Sequence, residues 1–404
     1  MATSLHPSVT PLAVSACTVT SALGQGKATH VEGMHTMQSG LHANDFSLTP
    51  LTCHIGRVEG LEHIELPGDH KMWDCRNNRL GWLALQQDGF RDAVVGARQR
   101  YGSERMAVLA GTSAGSIGST EDGYRRLESG RLPEDIRWPS IHCLHSLGAF
   151  LAAALELTGP AMTVSTACSS SAKVFAMAER MIRCGLIDAA VVGGVESLCH
   201  SVLHGFNSLQ LVSDEACRPF DVERNGISIG EGAGLALLER VESATGAPRL
   251  LGWGESSDAW HMTAPHPDGL GAELAIREAL DNGGLDAGMV DYINLHGTGT
   301  RNNDAVEARL VDRMFPDSVR ASSTKGYTGH TLGAAGAVEA VLTLLALQQD
   351  LVPGNLGCRT PEVACARHLA LETRARHVCV ALTNSFGFGG NNVCLAFAKG
   401  SATA

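Results

Sequence analysis

VSTACSSSAK, residues 164–173, joins a β-type run to a helix and places one cysteine, Cys168, at the junction. Upstream, Thr163, Val164 and Thr166 favour extended backbone. Downstream, Ala172, Phe175, Ala176, Met181 and Ile182 recur at three- and four-residue spacings, the pattern of a one-sided helix. Ser169, Ser170 and Ser171 suit its first turn. Amides left unpaired at a helix N-terminus carry partial positive charge. A thiol there is expected to ionise more easily, and the same amides to receive an oxyanion. Taken alone, the stretch equally fits a small, buried, inert cysteine.

The same grammar extends in both directions. LAVSACTVTSALGQG (12–26) reads as a strand broken at a glycine turn, and the chain then lacks a clear period to about residue 70. A helical pattern through Leu80, Leu83, Leu85, Phe90, Val94 and Val95 leads into the strand MAVLAGTS and a glycine turn. A helix near HSLGAFLAAALELTG, the cysteine unit and the strand DAAVVGGVES follow. The second half repeats the alternation: RLLGWGESSD, a helix at 271–283, the strand VDYINLHGTGT, helices at 303–314 and 334–349, and a hairpin of HVCVALTNS and VCLAFAK across FGFGG. Strand and helix in alternation predict an α/β fold with mainly parallel pairing, in two similar halves, 1–245 and 246–404.

Of the 404 residues, 44% are hydrophobic and 18% charged, the composition of a soluble globular chain with a large core. The 46 glycines fall in short runs such as GTSAGSIG and ISIGEGAG, where backbone must approach something closely. Twelve scattered cysteines predict free thiols in a reducing, cytoplasmic setting. There is no C-x-x-C, and His142/His145, His200/His204 and His261/His266 lack partner ligands at zinc spacing, so no metal is expected. A net charge of −11 argues against nucleic acid. Small basic clusters, Lys71, Arg76 and Arg79, and Arg125, Arg126 and Arg131, are the candidates for an acidic partner. The longest apolar run, AVEAVLTLLAL, contains Glu339 and is expected to be a buried helix; no membrane insertion is expected.

His296 leaves the strand YINL straight into a glycine turn, at the strand end where α/β proteins place their chemistry. Lys325 and His330 occupy a second glycine turn in SSTKGYTGHTLGAAGAVEA. Glu339, among apolar neighbours, needs a cation, and Lys325 is the obvious one. A cysteine, two histidines and a lysine, each beside a glycine turn at an element boundary, point to catalysis.

From about residue 76 to 397 the chain resembles the β-ketoacyl-[acyl carrier protein] synthases, the elongating condensing enzymes. The resemblance rests on STACSSS, RPFDVERNGISIGEGAG (218–234), NLHGTGTRNNDAVE, STKGYTGHTLGAAGAVE and NSFGFGGNN. It implies a thiolase-like fold, two similar α/β halves layered αβαβα. It also implies that Cys168 accepts an acyl chain as a thioester, while His296 and His330 bind a malonyl thioester carbonyl and promote decarboxylation. Lys325, paired with Glu339, would set the site's electrostatics, and the backbone amides of Cys168 and Phe388 would form the oxyanion hole. Thr298 and Thr300 would hold a phosphopantetheine arm, with Ala110 and Phe206 lining the acyl pocket and Phe388 gating it. The implied partners are acyl carrier protein, which supplies the phosphopantetheine so that no other cofactor is needed, and a dimer mate. The mate is a second copy or a chain-length-factor-like subunit, paired near DAAVVGGVES.

Some features depart from the housekeeping fatty-acid enzymes. Ala110 is small where a bulkier residue can restrict pocket depth, SDEACRPFD is short, and residues 44–75 diverge. These resemble the ketosynthases of aryl-polyene and polyketide pathways. Three alternatives fit less well. A partner subunit usually lacks the nucleophile, a thiolase has a second cysteine in place of His330, and a cysteine hydrolase leaves Lys325 and His330 unused.

Overall fold

Among the described residues, ten strands form the path of the main sheet, five from each half of the chain. They are β1 (Leu12–Ser21), β2 (Met106–Gly111), β3 (Ala161–Val164), β4 (Ala189–Glu196) and β5 (Gly232–Arg240), then β6 (Arg249–Ser257), β7 (Tyr292–Asn294), β8 (Arg320–Ser322), β9 (Val380–Gly387) and β10 (Asn391–Ala398). The structure, a computed structural model, describes residues 9–137 and 140–400. Their order is β8-β7-β9-β10-β6-β1-β5-β4-β2-β3. Each half therefore repeats one arrangement: the second strand lies parallel to the third and fourth, and the fourth, fifth and first run antiparallel. The halves meet where β1 pairs β6 through Leu12↔Leu250 and Ala13↔Arg249. The pairing is thus mixed, not mainly parallel as expected. The hairpin expected across FGFGG is present: β9 and β10 are antiparallel, and the three-residue turn Phe388–Gly390 is too short for the crossover that parallel strands require.

Among the described residues, eleven helices flank and separate these strands: α1 (Gly26–Thr36), α2 (Arg76–Leu85), α3 (Phe90–Tyr101), α4 (Ile117–Arg125), α5 (Ser146–Ala154), α6 (Ser170–Arg183), α7 (His200–Ser208), α8 (Leu270–Gly283), α9 (Arg301–Met314), α10 (Lys325–Thr328) and α11 (Ala335–Gln349). The helical pattern from 76 onward is two helices, broken where Gly89 takes a left-handed φ of 67° before α3. The segment to residue 70 holds α1 and two short strands, His42–Ala43 and His54–Gly56, which form a small sheet with Ile229–Gly230.

Helices α6 and α11 lie between the two halves of the sheet, with α2, α3 and α5 outside one and α8 outside the other, giving five layers αβαβα. Strand alternation sorts the side chains. On β2, Ala107 and Leu109 face the central layer, while Val108 and Ala110 face Leu147 and Phe150 outside. Helix α11 is buried from Ala335 to Leu347 and apolar on every side there except at Glu339 and Thr343, as suits a central helix. The stretch Leu332–Gln349, long and apolar enough to cross a membrane, is thereby placed inside the core. The central helices approach closely: a Cβ on Gly336 would stand 2.7 Å from the Cβ of Ala172, and one on Gly111 2.4 Å from the backbone nitrogen of Ser171. These glycines seat the N-terminus of α6, and Cys168 with it, against both halves.

Candidate active site

The turn between β3 and α6 is stitched by its own side chains. Ser170 Oγ accepts the Thr166 N–H at 2.8 Å and donates to the Ala167 carbonyl at 2.6 Å. This holds Ala167 at a left-handed φ of 52°, a conformation that costs a non-glycine residue about 1–2 kcal/mol. Cys168 follows, 4% exposed. His330 Nε2 lies 3.0 Å from Cys168 Sγ, and the Phe388 backbone N–H is directed at the same sulfur.

Burial pushes the Cys168 thiol up to about 12, with the Lys325 charge and the Phe388 N–H pulling against it. The resting group is therefore a neutral thiol. Easier ionisation was expected from the helix N-terminus, but desolvation of a fully enclosed sulfur outweighs that partial charge.

His330 Nδ1 accepts the Leu332 N–H at 3.3 Å, which leaves the ring proton on Nε2, facing Cys168. His296 is oriented by Lys325, whose Nζ donates to the His296 carbonyl and stands 3.5 Å from Nδ1. Its Nε2 also carries the proton. The rings meet edge to face at 5.4 Å. Both imidazoles are held well below the ordinary histidine range, by burial first and by the Lys325 charge next, so both are neutral donors. Lys325 is ion-paired with Glu339 Oε1, and both are buried. Burial pushes Glu339 up to about 7 against the pull of Lys325.

The loop carrying His296 hangs on two buried carboxylates of α9. Glu307 accepts the His296 and Gly297 amides, each at 2.9 Å. Asp304 accepts those of Thr298 and Gly299, at 3.0 and 3.1 Å. A third, Glu196 at the end of β4, accepts the amides of Ser113, Ala114, Gly115 and Gly333 and two hydroxyls, tying a turn of the first half to the His330 turn of the second. The sequence reading passed over all three. For Asp304 and Glu307 the available signal was two acids one helical turn apart, just after a glycine turn whose amides need acceptors.

A narrow cavity of about 80 Å³ opens onto Cys168, His296 and His330 and is lined by Thr298, Thr300, Phe206 and Phe388. The two threonine hydroxyls lie 2.9 Å apart, and the Phe206 and Phe388 rings stack at 5.5 Å. One wall, the 258–265 segment, was not anticipated. It is fastened to the glycine turn by Asp258 N–H to the Gly390 carbonyl at 2.9 Å and Gly389 N–H to the Met262 carbonyl at 2.8 Å.

Two expected site residues stand elsewhere. Ala110 lies in the outer core of the first half, because strand alternation turns it away from the face that carries α6. Arg76 is not available for docking: it donates to Glu231 at 2.8 and 2.6 Å and also pairs Glu62, while Glu231 accepts the Val58 and Leu198 amides. Lys71, Arg125, Arg126 and Arg131 are exposed, with Arg125 paired to Asp122 and Arg126 to Asp135.

A thiolase-like architecture with a Cys-His-His centre defines a condensing enzyme, and residues 78–244 and 248–359 match the N-terminal and C-terminal domains of β-ketoacyl synthase. The chain belongs to the β-ketoacyl synthase family. It is 37% identical to the 3-oxoacyl-[acyl-carrier-protein] synthase 2 of Synechocystis, over 78% of this chain and 80% of that protein. It is 38% identical to nodulation protein E of Rhizobium meliloti, over 72% and 75%. A chain from the complex of the ketosynthase ApeO with its chain length factor ApeC, from Xenorhabdus doucetiae, superposes with a TM-score of 0.88 at 36% identity, covering 98% and 99%. A chain of the ishigamide ketosynthase/chain length factor gives 0.84 at 27%, covering 96% and 99%.

Proposed function

We propose that this chain condenses an acyl group held on Cys168 with malonyl-[acyl carrier protein], releasing carbon dioxide and giving 3-oxoacyl-[acyl carrier protein]. The observation that carries this is one narrow cavity that joins Cys168, His296 and His330, with His330 Nε2 and the Phe388 amide on the buried sulfur and the His296 ring edge to face with that of His330. In the first half-reaction the Cys168 sulfur takes the acyl group from the carrier's thioester, and its proton leaves with the departing arm thiol. In the second, the malonyl carboxylate leaves as carbon dioxide and the electron pair moves onto the thioester oxygen. His296 and His330 stabilise that enolate as neutral donors, most strongly where the charge develops. The enolate carbon then attacks the acyl-Cys168 carbonyl, whose oxygen meets the amides of Cys168 and Phe388. The carbon–sulfur bond breaks, and the expelled Cys168 thiolate takes up one proton from solvent, replacing the one that left with the arm thiol. The phosphopantetheine arm enters past Thr298 and Thr300, and the proposed reaction calls for no other cofactor.

The two ketosynthase/chain-length-factor complexes among the structural relatives support pairing with such a subunit, in a specialised polyene or polyketide pathway. The edge strand β3, next to Cys168 and with Met162 43% exposed, is the surface we assign to the mate, whether that subunit or a second copy. Incubation with an acyl carrier thioester and carboxyl-labelled malonyl carrier tests the chemistry. Labelled carbon dioxide released in step with a two-carbon-longer 3-oxoacyl product supports it; carbon dioxide without elongation, or a free acid product, contradicts it.

A further inference from the structure

Cys379, just before β9 and at the end of that strand away from Phe388, lies beside a histidine that is itself oriented by a carboxylate. Its Sγ is 3.1 Å from His377 Nε2, and His377 Nδ1 is 2.9 Å from Asp350 Oδ1. Asp350 Oδ2 accepts from Lys399 Nζ at 2.7 Å, and Oδ1 accepts the Val378 N–H at 3.1 Å. Lys399 first, then that amide, hold the carboxyl down to about 2, so it stays an acceptor. The His377 proton therefore sits on Nδ1, and the lone pair of Nε2 faces the thiol. This is the reverse of the catalytic cavity, where an Nε2–H faces Cys168. Cys379 is exposed and His377 is 70% exposed, so the pair meets solvent-borne molecules directly. None of the three residues serves the condensation.

We propose that Cys379 is a modification site: a surface thiol activated by His377 and Asp350 for exchange with low-molecular-weight disulfides of the glutathione type. The Sγ proton passes to His377 Nε2, and the thiolate attacks one sulfur of the disulfide. A protein–S–S–R bond forms as the original S–S bond breaks, and the departing thiolate takes the proton from His377. One mixed disulfide and one free thiol result, so no further oxidant is consumed.

The protein carries its own control, because Cys184 is the other exposed cysteine. Full-length protein is incubated with glutathione disulfide, and mixed disulfide at each cysteine is followed by peptide mass spectrometry. Cys379 is expected to react about tenfold faster than Cys184 or more. His377→Ala should bring it to within about twofold of Cys184, and Asp350→Asn to an intermediate rate, with the Cys184 rate unchanged as evidence that the fold is intact. Equal rates at the two cysteines in the wild type, or a His377→Ala variant as fast at Cys379 as wild type, would overturn the proposal.

Discussion

Cys168 and its neighbours divide the labour of the site by charge: a neutral thiol, two neutral imidazoles, and one buried lysine paired with Glu339. Because burial raises the thiol to about 12, the thiolate fraction keeps growing across the whole neutral range. Alkylation of Cys168 by iodoacetamide should rise about tenfold per pH unit from pH 7 to 9. A plateau below pH 8 would show that the helix N-terminus overrides desolvation. The histidines shift the opposite way, and their working form is the neutral one, so the acid limb of malonyl decarboxylation should fall below the ordinary histidine pKa of 6.5, not at it. Lys325→Ala removes one member of a buried pair and should cost about 3–5 kcal/mol in denaturant unfolding, besides abolishing decarboxylation. Lys325→Met with Glu339→Gln should recover much of that stability without recovering activity.

Short elements around the site are fixed by acids whose purpose is to satisfy amides. Glu307→Ala strands the buried His296 and Gly297 amides, each about 1–3 kcal/mol. It should lower the melting temperature and kcat together, whereas Glu307→Gln should keep part of both. Gly336→Val drives a side chain into Ala172, where α6 and α11 cross, and should prevent accumulation of folded protein. Much of this was legible: the β3–α6 unit, the glycine turns under His296 and His330, and the need of Glu339 for a cation are local patterns or simple charge arguments. Asp304, Glu307 and Glu196 were not, because their role depends on which distant amides the fold brings to them. Ala110 packs in the outer core and does not line the catalytic cavity, which the sequence did not foretell for a related reason. Strand period assigns it a face, but only the layering says which face holds the nucleophile. The antiparallel direction of β10 against β9 was legible in the FGFGG hairpin, whereas that of β5 was hidden, since short apolar runs look alike in either sense.

At the scale of the molecule, one arrangement used twice brings a nucleophile from the first half to two histidines and a lysine from the second. The exposed basic residues Arg125, Arg126 and Arg131 lie in the first half, near α4. Reversing their charge together should raise KM for carrier-borne substrates and leave small thioesters unaffected, while Arg76→Ala should instead lower stability, through the loss of its pairs with Glu231 and Glu62. The central claim, that both halves act on one acyl-Cys168, is tested most directly by intact-mass analysis. Wild type and Cys168→Ala are incubated with a panel of acyl carrier thioesters, and malonyl carrier is then added. The account predicts an acyl adduct on wild type alone, discharged by malonyl carrier into a two-carbon-longer 3-oxoacyl product. No adduct from any donor, or an adduct discharged only to water, would contradict it.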